Sequence, residues 1–458
     1  MIFSTPTFLA FLGIVLVAVA VARSEVQRRA VLFLASLVFY GWWDWRFCFL
    51  IVIASFVDYK LALLIQQAPS RPEKRKWLVT SVAMNLGLLA IFKYATWLMS
   101  SIAGAFSLDV EVPEIPLPLG ISFFTFQAMS YTIDVYREKF NPTHKMSEFT
   151  FSMSFFPHLI AGPIVRASHF MPQLADEHPL RKDELIDGLG RFAKGFVKKT
   201  LIADNFAICA DAVFADPAFY SSPTVWLGVI AYTGQIYYDF SGYSDMAIGL
   251  ARMFGYRFPE NFDHPYLSRN ITEFWRRWHL SLSSWLRDYL YISLGGNRRG
   301  PARTYFNLLA TMLLGGLWHG ASLTFVMWGG IHGLALAVHK WMHERWPAPG
   351  MVRRLLGPPF TLLLVMVCWV FFRSTSFADA LAVLGKMAFV DVDGCAWPHV
   401  QSLLALGLAL GAHVYVAFGR EIVFDLRKPP MVAMLVFVLV IDLLYAPSSS
   451  NPFIYFQF

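Results

Sequence analysis

The chain has 458 residues, a formal net charge of +7 and a mean hydropathy of +0.49, with 56% hydrophobic and 15% charged residues. Soluble proteins carry roughly 25% charged residues, and no single water-soluble core hides this much apolar surface, whereas a bilayer does. The basic residues lie in short loops between apolar runs, which points to membrane orientation and anionic lipid and away from nucleic acid. The four cysteines, Cys48, Cys209, Cys368 and Cys395, form no close pair, so neither a disulfide framework nor a metal knuckle is expected.

An apolar run of roughly 20 residues spans the hydrocarbon as a helix. In chain order such runs lie near residues 2–22, 30–43, 46–65, 78–104, 117–136, 191–214, 224–250, 304–320, 322–340, 355–372, 400–419 and 431–446. The first lacks the basic n-region of a secretory signal and is expected to be a retained transmembrane helix. The second and third are short and are expected to form a bent hairpin around Trp42, Trp43, Asp44 and Trp45. Basic loops at Arg23–Arg29, Arg71–Lys76, Lys194–Lys199, Arg276–Arg303, Arg353–Arg354 and Arg427–Lys428 then fall on one side. That side is taken as cytoplasmic, which places both termini on the outer, periplasmic side.

Two segments depart from simple spans. Residues 149–165 are apolar but interrupted by Pro157, Gly162 and Pro163. Proline removes a helix donor, and irregular backbone at membrane depth needs protein or a water-filled cavity around it, so a re-entrant segment is expected. In residues 272–292, Trp278, Leu282, Trp285 and Tyr289 recur at helical spacing, with Arg276, Arg277, Ser283, Ser284, Arg287 and Asp288 opposite. This reads as one amphipathic helix at the cytoplasmic interface.

Ionisable groups deep in an apolar stretch are costly and mark function. The foremost is His319, between two apolar runs and beside Gly315, Gly316 and Gly320; an imidazole takes and returns a proton near neutral pH. His279 is expected on the helical face of Trp275, Leu282 and Leu286. His332, thirteen residues after His319, is expected to be structural. His339 and His343 stand at a metal-ligand spacing but lack a third ligand nearby, so no metal site is expected. There is no Walker loop, zincin motif or nucleophile elbow.

The runs FWRRWHLSLSSWLRDYLYISLGGNRRG and LLGGLWHGASLTFVMWGGIHG, with SFFTFQAMSYTIDVYR, FPHLIAGPIVR, YDFSGYSDMAIGLARMFGY and the C-terminal NPFIYFQF, resemble the membrane-bound O-acyltransferase (MBOAT) family, in its bacterial branch that acetylates alginate and transfers D-alanine to teichoic acids. The resemblance covers nearly the whole chain. It implies an all-α polytopic membrane protein of the MBOAT fold, with about 11–12 transmembrane helices plus re-entrant and amphipathic cytoplasmic helices around a central catalytic tunnel. It implies a single domain over 1–458, with N-terminal helices over 1–136, the re-entrant segment and cytoplasmic helix within 137–303, and C-terminal helices bearing the catalytic histidine over 304–458. His319 matches the family's essential membrane-embedded histidine and His279 its second histidine. Acetyl-CoA is the implied acyl donor, and the reaction is O-acetylation of an exported polysaccharide through periplasmic partner acyltransferases at the bacterial inner membrane.

On this reading the thioester approaches from the cytoplasm past Trp275, Arg276, Arg277, Trp278, Trp285 and Arg287, whose positive charges, with those of Arg298 and Arg299, attract the phosphates of coenzyme A. His319 acts as general base or as a covalent acyl carrier. The rival class is a polysaccharide transporter without acyl-transfer chemistry, whose marks would be inverted repeats and paired broken helices.

Overall fold

Ser24 opens the second helix with a capping box: its hydroxyl accepts from the Gln27 backbone, and the Gln27 side chain returns to the Ser24 N–H. In the computed structural model, which describes residues 1–143, 145–345, 350–420 and 422–445, the local signals of this kind resolve into an all-α chain. Among the described residues there is no β-strand, only an isolated bridge between Tyr220 and Cys395. Each of the twelve expected apolar runs overlaps a helix. The NPFIYFQF motif lies outside the described residues.

The chain groups into two compact units, residues 1–189 with 247–259, and residues 190–246 with those from 260 onward. The division therefore falls inside the expected middle portion 137–303 and not at its ends.

The first unit contains α1 (Pro6–Val21), α2 (Glu25–Asp44), α3 (Arg46–Gln67), α4 (Arg71–Leu89), which a π-turn joins to α5 (Ala95–Ala105), and α6 (Ile121–Tyr136). The short α7 (Met146–Ser154), α8 (Phe156–Leu159) and α9 (Ala167–Phe170) follow. The α2–α3 hairpin is longer than expected, because the Ser24–Gln27 box starts α2 before its apolar run begins. Asp58 of α3 is buried and accepts from Ser81 (2.6 Å) and Asn85 (3.0 and 3.1 Å) of α4, and Ser81 also meets Thr132 of α6 at 3.0 Å. Side-chain bonds of this type tie helices together where lipid offers no alternative partner.

Residues 149–165 are buried throughout. Their broken backbone is met by side chains: Ser36 accepts from the Phe156 N–H (3.0 Å), and Gln127 donates to the Val165 carbonyl (3.2 Å). Gly120, at φ +74°, lies so close to Leu159 that a Cβ would stand 2.4 Å from its carbonyl oxygen.

The second unit holds α11 (Asp204–Ala215), the short α13 (Ile271–Trp275) and α14 (Leu280–Trp285), then α15 (Pro301–His319), α16 (Leu323–Arg345), α17 (Gly350–Arg373), α18 (Phe377–Met387), α19 (Val400–Ala417) and α20 (Pro429–Tyr445). The division between the units falls within α10 (Lys182–Val197) and α12 (Ser222–Met253). Lys199 is buried between Asp204 (2.8 Å) and Asp239 (3.0 Å), so its charge is paired where an isolated one would be prohibitive.

Among the described residues four helices are long and apolar enough to cross a membrane: Arg46–Gln67, Arg71–Ala105, Arg354–Arg373 and Val400–Ala417. Of the other expected spans, the first and last form shorter apolar helices, Pro6–Val21 and Pro429–Ile441. Helix α12, although long, carries buried Thr233, Gln235, Asp239, Ser241, Ser244 and Asp245, polar groups that lower its hydropathy.

Candidate active site

Pro301 supplies the pre-set φ of a first helical turn. From there α15 runs without interruption to its last residue, His319, about 27 Å along the axis at 1.5 Å per residue. Glycines weld α15 to α16. A Cβ on Gly316 would sit 2.2 Å from the Phe325 carbonyl oxygen, and one on Gly329 would sit 2.3 Å from that of Met312. Backbone-to-backbone approach of this kind, open only to small residues, fixes the hairpin that carries His319.

His319 is 5% exposed. Aromatic rings surround it: Trp318 at 4.8 Å, Trp328 at 5.0 Å and Phe372 of α17 at 5.0 Å between centroids. Trp328 also packs on His332, one turn further along α16, at 4.8 Å. The indole N–H of Trp275 donates to His332 Nδ1 at 3.3 Å. Thus α13, α16 and α17 contribute to one aromatic cluster around two imidazoles.

Beside this cluster is a cavity of about 610 Å³. Trp275, Arg276, Ser283, Ser284 and Arg287 form part of its wall, Thr311 and Met312 of α15 another part, and His339, Lys340 and His343 of α16 a third. Met312 precedes His319 by seven residues, so the cavity reaches to within about 10 Å of His319 measured along the helix axis. Its charged lining is predominantly positive, with Glu344 as the acidic member. An anionic ligand suits such a lining.

The segment 271–291 is not the single amphipathic helix expected from its periodicity. It breaks after Trp275, resumes at Leu280 and continues as a π-helix over Leu286–Tyr291. The break is held from outside. The Leu280 N–H donates to the Asn261 carbonyl, and the Asp263 N–H donates to the Arg277 carbonyl, both at 2.9 Å. His279 sits in the gap with left-handed backbone angles, φ 43° and ψ 57°, which cost a non-glycine residue about 1–3 kcal/mol.

His279 is fully buried, against Phe240 at 4.6 Å and with Nδ1 3.1 Å from Asn261 Oδ1. The Ser281 N–H donates to the same Asn261 atom (3.3 Å). A backbone N–H only donates, so that atom is the amide oxygen and His279 Nδ1 carries the ring proton. Burial pushes the His279 pKa down to about 3, so the ring is neutral at physiological pH.

The sequence-selected donor residues therefore divide. Trp275, Arg276 and Arg287 line the cavity. Arg277 pairs with Glu273 at 2.9 Å, Trp278 packs among Phe262, Phe274 and Trp369, and Trp285 packs on Tyr289, and none of the three is in its wall. Nor is His279, whose contacts are to Asn261 and Phe240. The sequence reading missed Thr272, Ser283, Ser284, Thr311 and Met312 as lining, and set His339 and His343 aside once they failed as metal ligands. Their i, i+4 spacing was the available signal, since it places both on one face of α16. His339 Nδ1 is 2.9 Å from the Thr272 hydroxyl, and among the described residues no group of three His, Cys, Asp or Glu side chains is arranged to hold a metal ion.

A helical hairpin with a buried histidine at its turn, beside a positively lined cavity, has the makings of an acyl-transfer site. The family model for MBOAT, the membrane-bound O-acyltransferase family, matches residues 37–378, and the chain belongs to that family; it is a multi-pass membrane O-acyltransferase. It is 46% identical over 398 residues to the probable alginate O-acetylase AlgI of Pseudomonas aeruginosa, covering 84% of this chain and 74% of the relative. It is 36% identical over 434 residues to the peptidoglycan O-acetyltransferase of Helicobacter pylori, covering 88% and 82%. It is 31% identical over 248 residues to the teichoic acid D-alanyltransferase of Streptococcus thermophilus, covering 50% and 58%.

Proposed function

We propose that this chain takes an acetyl group from acetyl-CoA on the cytoplasmic side of the inner membrane and passes it outward for O-acetylation of an exported polysaccharide such as alginate, by way of periplasmic partner acyltransferases. The observation that carries this reading is the cavity whose wall runs from Arg276, Arg287 and Lys340 to Met312, two helical turns from His319. A coenzyme A thioester is an anionic head on a long, slim arm, and a positive lining that extends along α15 toward His319 suits both parts. The names of the relatives that acetylate alginate and peptidoglycan support an acetyl donor and a polymeric acceptor.

In the proposed reaction Arg276, Arg287 and Lys340 bind the phosphates, and Ser283, Ser284 and Thr311 orient the arm. His319 takes the proton of the acceptor hydroxyl as its oxygen attacks the thioester carbonyl. The tetrahedral intermediate then expels the thiolate, which takes up that proton. General-base assistance is worth about 10²–10⁴-fold, with the remainder coming from positioning in a site walled off from water. His279 belongs to the site as the neutral anchor of the 276–280 turn that carries Arg276 and Leu280 into the cavity wall.

The test is polymer acetylation in cells producing wild type or His319→Ala at equal membrane abundance. The expected result is loss of acetylation by at least 100-fold with polymer export unchanged. Loss of export would favour a transporter, and unchanged acetylation would remove His319 from the chemistry.

A further inference from the structure

Position in the sequence suggested a structural role for His332, but its surroundings argue for another. The residue is fully buried in α16. An indole N–H donates and never accepts, so the bond from Trp275 Nε1 makes His332 Nδ1 the lone-pair nitrogen and puts the ring proton on Nε2. That N–H is buried and has no hydrogen-bond partner among the described residues. Buried donors are nearly always satisfied. Here the orphan donor lies one indole away from His319, since Trp328 packs on both imidazoles. Trp275, which fixes its tautomer, stands in the cavity wall. The donor cavity, the orphan N–H and His319 are thus consecutive members of one packed cluster.

We propose that His332 is a further catalytic residue, whose Nε2–H donates to the thioester carbonyl oxygen as negative charge collects there. The proposal rests on the O-acyl-transfer reading of His319. As the acceptor oxygen bonds to the carbonyl carbon, the π pair of the C=O bond moves onto oxygen, and the N–H of His332 faces that charge. When the carbonyl re-forms, the C–S bond breaks, sulfur keeps the bonding pair and takes the proton that His319 removed. His332 exchanges no proton. A fixed donor of this kind acts on the transition state and leaves donor affinity nearly unchanged. Trp275 is a positioning residue, because its indole keeps the ring proton on Nε2.

The experiment measures acetyl incorporation into polymer from radiolabelled acetyl-CoA in inverted membrane vesicles, across acetyl-CoA concentration and at matched membrane abundance. His332→Ala is expected to lower the maximal rate about 10²–10³-fold with half-saturation changed less than threefold. His332→Gln, whose amide N–H approximates Nε2–H, is expected to recover at least tenfold of that loss. Trp275→Phe keeps the ring but frees the tautomer, and is expected to lower the maximal rate several-fold; it decides the matter if both His332 variants fail to accumulate. Equal rates in His332→Gln and His332→Ala, a loss confined to half-saturation, or a wild-type rate in Trp275→Phe would overturn the proposal. An active His319→Ala in the same vesicles would instead overturn the reading on which it rests.

Discussion

Two interrupted segments, one in each unit, break for different reasons. In residues 149–165 the interruption is written into the covalent chain, as Pro157, Gly162 and Pro163. In residues 271–291 the sequence offers an unbroken helical pattern, and the backbone nevertheless leaves the helix at Arg276–His279. The second break is imposed by residues distant in sequence, chiefly Asn261, whose carbonyl takes the Leu280 N–H and whose side chain gathers His279 and Ser281. A break in the chain's own chemistry is visible from the sequence. A break that depends on a partner is not, because periodicity is a property of one segment and the competing hydrogen bonds belong to another.

The same distinction sorts what was legible in the site. His319 stood out because an ionisable group between apolar runs is rare, and the glycines around it announced close packing. The helix positions followed from apolar length. The cavity was only half legible. Trp275, Arg276 and Arg287 were visible as aromatic and basic residues, but Arg277, Trp278 and Trp285 share that chemistry and face elsewhere, a difference created by the break at His279. Buried Asp239 and Asp245 lower the hydropathy of α12 for the same reason: their partners Lys199, Arg191 and Lys198 lie outside that helix.

If the second break depends on Asn261 and the first on its own proline, paired substitutions should separate them. Asn261→Leu leaves the Ser281 N–H, the His279 Nδ1–H and the Ser244 hydroxyl without their shared partner. Each buried group so orphaned costs about 1–3 kcal/mol, so a loss of about 3 kcal/mol or more is expected, with acetylation per folded molecule falling more than tenfold. Pro157→Ala, in a segment already anchored by Ser36 and Gln127, should cost under about 1 kcal/mol, chiefly through chain entropy. Unfolding in mixed micelles gives both values, and equal losses would dissolve the contrast.

A smaller effect follows from the charge state of His279. Its folded pKa, about 3, lies below the ordinary value of 6.5. Between those values the unfolded chain binds a proton that the folded chain refuses, so folding stability is fully present above pH 6.5 and is lost progressively as pH falls toward 3. The thermal midpoint of the detergent-solubilised protein should therefore drop further between pH 7.5 and pH 5 for wild type than for His279→Gln, which has no proton to take up. Parallel curves would mean that the buried turn is already hydrated.

The least costly substitution tests the other side of the contrast, a boundary encoded entirely on the spot. Ser24 and Gln27 satisfy each other's backbone groups at the start of α2, and no distant residue completes the box. Losing an N-cap hydroxyl costs about 0.5–2 kcal/mol, and the cost here should be confined to the first turn, since the cap is exposed and reaches nothing else. Ser24→Ala should therefore speed amide hydrogen exchange at residues 25–28 while leaving acetylation and the exchange of the rest of the helix unchanged. Faster exchange spreading along α2 would mean that the cap supports the hairpin as a whole, and that a boundary readable from four residues can still carry a load set by the fold around it.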